Sequence, residues 1–210
     1  MKVALFDLDG VILDTESLYT TFWAQIGERF FPETKDFALS VKGQTLNDIM
    51  TRWFDNSEEA RKTITALLDE FELQMQYVYI PGAKDFLQKL KSEGVTSAIV
   101  TSSNNLKMDN VYRNLPELKG LVDRIFTAED TPASKPAPDC YIIAARTMGY
   151  EPEECIVFED SLNGLKAGRA SGAKVVGLST SLSADTIAPL CDIVIPHFEN
   201  SESLKAVYSL

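Results

Sequence analysis

Histidine is almost absent from this chain: among 210 residues there is one, His197, in Ile195-Pro196-His197-Phe198. A Ser-His-Asp arrangement needs an imidazole beside its nucleophile. A single histidine just after a short apolar run reads instead as a strand-end cap. Basic residues are scarce too, 20 Lys and Arg against 31 Asp and Glu, for a net charge of −11. Such a surface repels nucleic acid and anionic membranes, so neither is expected as a partner. A small phosphorylated metabolite stays admissible, because a local cation can supply the attraction. Cysteine is limited to Cys140, Cys155 and Cys191, odd in number, far apart and flanked by apolar residues. They read as reduced core thiols and not as disulfides or a metal site. No apolar run approaches the roughly 20 residues that span a bilayer. Asp7 breaks the opening run before it could serve as a signal peptide. A cytoplasmic protein is expected, and nothing in the sequence demands more than a monomer.

What the chain does have is an opening with a sharp change of character. Val3-Ala4-Leu5-Phe6 is too short for a helix and too apolar for a loop, and it runs straight into Asp7-Leu8-Asp9-Gly10. Four consecutive apolar residues suit a strand buried on both faces, as in parallel sheets. Ligands bind such sheets just beyond the carboxyl ends of the strands, so Asp7 and Asp9 are expected at that mouth, with Gly10 allowing a tight turn. Two carboxylates this close resist joint ionisation unless a cation compensates them, and a hard, oxygen-seeking ion such as Mg²⁺ suits them. Taken alone, the pair also fits an ordinary turn. A calcium loop fits poorly, because its sixth position wants glycine and here holds Ile12.

Beyond Asp9 the pattern turns helical. Leu18, Phe22, Ile26 and Phe30 mark a helix over Glu16 to Phe30. A second is expected over Thr45 to Phe54, and a third from Ser57, a good N-cap before Glu58 and Glu59, to about Tyr79. Pro81-Gly82 then punctuates. From Ala83 strands and helices alternate: strands at Ser97–Val100, around Ile125–Thr127, at Ile156–Phe158, Lys174–Leu178 and Ile193–Ile195, with helices between. This order predicts an α/β fold, a doubly wound parallel sheet with a Rossmann-like core. The core is expected to span residues 1–14 and 81–210, with a helical insertion over 15–80.

The strands end in groups suited to phosphate chemistry. They are Asp7 and Asp9, then Thr101 and Ser102, then Glu159 and Asp160, with Lys135 on a proline-stiffened loop. Parallel strands end at one edge, so these residues can converge. Asp7 could attack phosphorus and form an acyl phosphate. Asp9 could protonate the leaving oxygen and later take a proton from water. Mg²⁺ would neutralise the acids, while Lys135 and the Thr101 hydroxyl held the phosphoryl oxygens. Singly, each has a plainer role: helix caps for Thr101 and Ser102, a solvated lysine for Lys135, and a helix start for Glu159-Asp160-Ser161.

Together these segments resemble the haloacid dehalogenase-type superfamily of phosphotransferases, in the branch with a small helical cap after the first strand. Asp7-Leu8-Asp9-Gly10-Val11 is similar to its nucleophile motif and Val100-Thr101-Ser102 to its phosphate-binding motif. Ser134-Lys135-Pro136 is similar to its lysine motif, and Phe158-Glu159-Asp160-Ser161 with Gly164 to its acidic motif. The resemblance implies Mg²⁺ held by Asp7, the Asp9 carbonyl and Asp160, with Glu159 in support. It also implies a phosphorylated small metabolite as substrate. Dehalogenases of the superfamily lack the second acid, so Asp9 favours phosphoryl transfer. The cap, with Val41-Lys42-Gly43, is similar to that of the beta-phosphoglucomutase group. Where the mutases carry a histidine and an arginine, however, this chain has Tyr19 and Leu46. A sugar-phosphate phosphatase is therefore expected ahead of a mutase, with Glu16, Tyr19, Lys42 and Gln44 as candidate substrate contacts. The rival from another class is a non-catalytic phospho-accepting or metabolite-sensing domain; a receiver of that kind would be shorter and lack the insertion.

Overall fold

The computed structural model describes residues 1–41 and 46–210. The chain divides into two compact units, Met1–Asp14 with Tyr77–Leu210, and Thr15–Gln76. The first is built on six parallel strands: β1 (Val3–Phe6), β2 (Thr96–Val100), β3 (Arg124–Phe126), β4 (Cys155–Glu159), β5 (Lys174–Leu178) and β6 (Ile193–Ile195). They lie in the order β3-β2-β1-β4-β5-β6. That order reverses direction at β1, which pairs with β2 on one side and β4 on the other. A crevice opens at such a switch point, outside the carboxyl ends of the strands. Every residue of β1 is buried, which explains its unbroken apolar run.

The second unit holds α1 (Glu16–Phe30), α2 (Phe37–Val41), α3 (Leu46–Trp53) and α4 (Glu58–Gln74). Its core is aromatic: Phe22, Trp23, Phe37 and Phe54 pack with Ile26, Ile49 and Ile64. Phe31 stacks on Phe37 at 4.9 Å between ring centroids. Ser57 caps α4 by accepting from the Ala60 N–H at 3.1 Å, as its position before two glutamates predicts. Helix α4 stops at Gln74, short of the expected Tyr79, because Met75 turns out of helical dihedrals. From Met75 to Tyr77 burial alternates residue by residue, the mark of extended chain. Val78 accepts from the Asp14 N–H and Ile80 donates to Ile12, so the chain re-enters the sheet unit ahead of Pro81. Helix α2, absent from the sequence expectation, is a single short turn held by Phe37 and Val41 in the aromatic core.

The sheet is flanked by α5 (Ala83–Ser92), α6 (Asn105–Asn114), α7 (Leu118–Leu121), α8 (Asp139–Thr147), α9 (Leu162–Ser171), α10 (Ala184–Ile187) and α11 (Ser201–Tyr208). Side chains alternate across each strand. Val3 and Leu5 face a layer that includes Tyr141, Ala144 and Ala167 from α8 and α9. On the opposite face Phe6 stacks on Phe158, with centroids 4.5 Å apart, and Phe86 of α5 stacks on Phe198. The cysteines match the core-thiol expectation: Cys140 and Cys155 are buried, Cys191 is half-buried, and all are free. Burial raises each thiol to about 11. Among the described residues no helix is long and apolar enough to cross a membrane.

Leu5 is fully buried in the central strand. Leu5→Ala is expected to cost about 2–5 kcal/mol, because lost burial and the cavity add. Urea denaturation checks this, and a loss under about 1 kcal/mol would mean the sheet collapses around the gap.

Candidate active site

At the switch point β1 ends and the ladder continues one residue further, with the Asp7 N–H donating to the Phe158 carbonyl at 3.0 Å. The chain then folds into a tight loop, with the Gly10 N–H on the Leu13 carbonyl and the Ile12 N–H on that of Leu8. Gly10 has φ +75°, a conformation that favours glycine. A Cβ there would overlap the Asp160 carboxylate. Asp7 and Asp160 are thus brought to one place by backbone geometry.

Lys135 connects the strand ends. It is buried, and its ammonium donates to Asp7 Oδ1 at 2.6 Å, Glu159 Oε1 at 2.7 Å and the Val100 carbonyl at 3.1 Å. An ammonium has three donors, and here they join β1, β4 and β2. Glu159 is fully buried and saturated. Its Oε1 also accepts from the Tyr141 hydroxyl at 2.9 Å, and its Oε2 accepts from the Asp160 N–H, the Ser161 N–H and the Ser161 hydroxyl. Gly164 brings α9 so near that a Cβ would overlap this carboxylate. Asp160 accepts from the Ser181 hydroxyl, and Thr180 donates to the Gly10 carbonyl, so the loop after β5 closes the floor.

Asp9 sits further out, its side chain 29% exposed against 5% for that of Lys107. The Lys107 ammonium reaches both of its oxygens at 2.7 Å, and the Ser103 hydroxyl donates to Oδ2 at 3.0 Å. Thr101 is buried at the end of β2, with its N–H on the Phe126 carbonyl and its Oγ1 accepting from the Ser103 N–H at 3.0 Å. Its hydroxyl proton remains available to a ligand. Ser102 is exposed. Sequence reasoning did not single out Ser103, Lys107, Tyr141 or Ser181. Lys107 left only a faint signal, as the cation that follows the polar run Thr101-Ser102-Ser103-Asn104-Asn105.

The candidate contacts in the insertion belong to the other unit. Tyr19 is half-buried and donates to Glu72 Oε1 at 2.7 Å, and Glu16 stands in the first turn of α1. Lys42 and Gln44 fall outside the described residues. His197 takes a local backbone role after β6, its Nδ1 accepting from the Glu199 N–H at 3.2 Å.

The electrostatics of the cluster follow from its burial. Burial pushes Asp7 up to about 7, with Glu159 and Asp9 adding to the rise and Lys135 opposing it. Burial also pushes Asp160 well above the usual carboxylate range, helped by the charges of Glu159 and Asp7. Burial works against the Lys135 ammonium, but Asp7 and Glu159 outweigh it and hold its pKa above the ordinary value. Among the described residues, four carboxylates here face two ammoniums. Oxygens of Asp7, Glu159 and Asp160 lie within 4.8 Å of one another. An all-oxygen, buried and under-compensated donor set fits a hard divalent cation. Glu159 has its oxygens engaged, so Asp7 and Asp160 carry the free ligand capacity.

A parallel sheet of this order, with a buried cluster of acids and a lysine at its switch point, is an α/β fold of the kind that binds ligands at its strand ends. The chain belongs to the haloacid dehalogenase-like hydrolase family, which matches residues 1–172, and is a phosphohydrolase of that family. It is 30% identical over 192 residues to validoxylamine A 7'-phosphate phosphatase of Streptomyces hygroscopicus subsp. limoneus, covering 89% of this chain and 90% of that one. It is 29% identical to beta-phosphoglucomutase of Mycobacterium bovis, covering 93% and 89% respectively. In fold it is similar to a HAD hydrolase, family IA, variant 3, from Entamoeba histolytica, with TM-score 0.84, 22% identity and full coverage of both chains.

The raised pKa of Asp7 means that the metal-free fold binds a proton there more tightly than the unfolded chain does. The stability so gained is full below the unfolded value of about 4 and is lost as pH climbs through about 7. A divalent cation competes with that proton. The rise in Tm on adding Mg²⁺ should therefore be small near about pH 5 and largest near about pH 8. Differential scanning fluorimetry measures it, and a pH-independent shift would argue against a cation at these carboxylates.

Proposed function

We propose that this phosphohydrolase is a Mg²⁺-dependent phosphatase of small phosphate monoesters, sugar phosphates foremost, working through a phospho-aspartate on Asp7. The observation that carries this reading is the clamp on Asp7: Lys135 takes Oδ1 at 2.6 Å, leaving Oδ2 as the nucleophile. The oxygens of Asp7 and Asp160 suit Mg²⁺ together with the Asp9 carbonyl, with Glu159 supporting through its grip on Lys135. When bound, Mg²⁺ supplies charge neutralisation that lets the acids ionise and a dianionic phosphoryl group approach.

In the first step Asp7 Oδ2 forms a bond to phosphorus, the bond from phosphorus to the ester oxygen breaks, and Asp9 gives that oxygen a proton. In the second, water attacks phosphorus, Asp9 takes a proton from it, and the bond to Asp7 breaks to release phosphate. Lys135 and the Thr101 hydroxyl hold phosphoryl oxygens that bear the developing charge. The insertion, residues 15–80 on the sequence reading, acts as a cap that excludes water and selects the leaving group. Glu16, Tyr19, Lys42 and Gln44 are its proposed substrate contacts, and Ser102 is a further one from the sheet unit. Support for the substrate class comes from the relative that acts on validoxylamine A 7'-phosphate. The mutase reading rests on the relative named beta-phosphoglucomutase, and Tyr19 and Leu46 weigh against it.

Asp7→Asn is expected to abolish Mg²⁺-dependent phosphate release, and Asp9→Asn to lower it on the order of a hundredfold or more. The measurement is phosphate release across sugar phosphates, nucleotides and pyrophosphate, with beta-glucose 1-phosphate followed separately for isomerisation. Wild-type turnover by Asp7→Asn would remove the nucleophile assignment, and isomerisation outpacing phosphate release would favour the mutase.

A further inference from the structure

We propose that Lys107 is the positioning residue for Asp9, fixing its carboxylate in one orientation at the rim so that proton transfer meets the leaving oxygen. The inference rests on the phosphatase reading above and adds a residue to it. Lysine is seldom buried unless paired, yet the Lys107 side chain is only 5% exposed, with its ammonium 2.7 Å from each Asp9 oxygen. These contacts hold the ionised Asp9, the form that takes the proton from water in the second step. Fixing its rotation there leaves the acid so formed aimed at the leaving oxygen of the next ester. Ser103 adds a third restraint on Oδ2.

The restraining groups are themselves fixed by the start of α6. The Lys107 N–H donates to the capping Asn104 side chain at 2.9 Å. The Ser103 N–H donates to Thr101 Oγ1, and its carbonyl accepts from the Ala128 N–H. One loop thereby sets both the Thr101 hydroxyl and the Asp9 carboxylate, two groups that must act on opposite ends of one breaking bond. Ordering Asp9 at folding spares that ordering at each turnover, and a misplacement of about 1 Å costs on the order of a hundredfold.

The test compares two esters: a sugar phosphate, whose leaving oxygen needs a proton, and p-nitrophenyl phosphate, whose leaving group does not. The quantity is kcat/KM, which reports the attack by Asp7, for Lys107→Met and Lys107→Arg, each alone and with Asp9→Asn. Lys107→Met is expected to lose about tenfold or more on the sugar phosphate and far less on the nitrophenyl ester. Lys107→Arg should recover part of the loss, and Lys107→Met should add nothing once Asp9 is Asn. Equal losses on both esters would point to direct phosphoryl binding and overturn the proposal, as would losses additive with Asp9→Asn. Should Lys107→Met fail to fold by circular dichroism, Ser103→Ala carries the same comparison without stranding a charge. Asp9→Asn at full turnover would defeat the Asp9 role and this inference with it. An inactive Asp9→Asn beside an unimpaired Lys107→Met would defeat this inference alone.

Discussion

A buried lysine organises the centre of this protein. The Lys135 ammonium is tied to Asp7, Glu159 and the Val100 carbonyl, and removing it would leave two buried acids uncompensated. Breaking a buried pair costs several kcal/mol for that reason. The acids in turn keep Lys135 charged against the pull of burial. Each partner comes from a different strand end, so the lysine also aligns β1, β2 and β4 at the one edge where their polar ends meet.

Around that lysine the carboxylates divide their labour by environment. Glu159 is saturated by donors and sealed under α9, so it orients Lys135 and is spent in doing so. Asp7 and Asp160 are buried with negative charge to spare, which raises their proton affinity and invites a cation in the proton's place. Asp9, more exposed, meets its own ammonium.

Much of this could be read from the residues alone. Continuous apolar runs mark parallel strands because both faces are covered, as at Val3–Phe6 and Ile156–Phe158. By contrast, β3 is only Arg124-Ile125-Phe126 at the sheet edge and is placed by the alternation of strands and helices around it. Asp7, Lys135, Glu159 and Asp160 were visible because acids and a lysine at strand ends are chemically conspicuous, and the fold does bring them together. Lys107 was not, because a lysine in a helical first turn looks like any solvated surface residue until the packing is known. Ser103 was missed for the opposite reason, since Thr101 and Ser102 beside it matched a pattern. The helix expected to run to Tyr79 shows tertiary pairing overriding local pattern: it stops at Gln74 because the backbone beyond is needed by Leu13 and Asp14.

The order of pairing has a consequence for synthesis. The first strand's neighbours are Thr96–Val100 and Cys155–Glu159, so on the ribosome it must wait, apolar and unmatched, while the whole insertion is translated. The insertion has an aromatic core of its own and can consolidate meanwhile, since domains fold as units during translation. That leaves Val3–Phe6 as an exposed apolar edge until Thr96–Val100 supplies its first neighbour, with its other edge open until Cys155–Glu159 emerges.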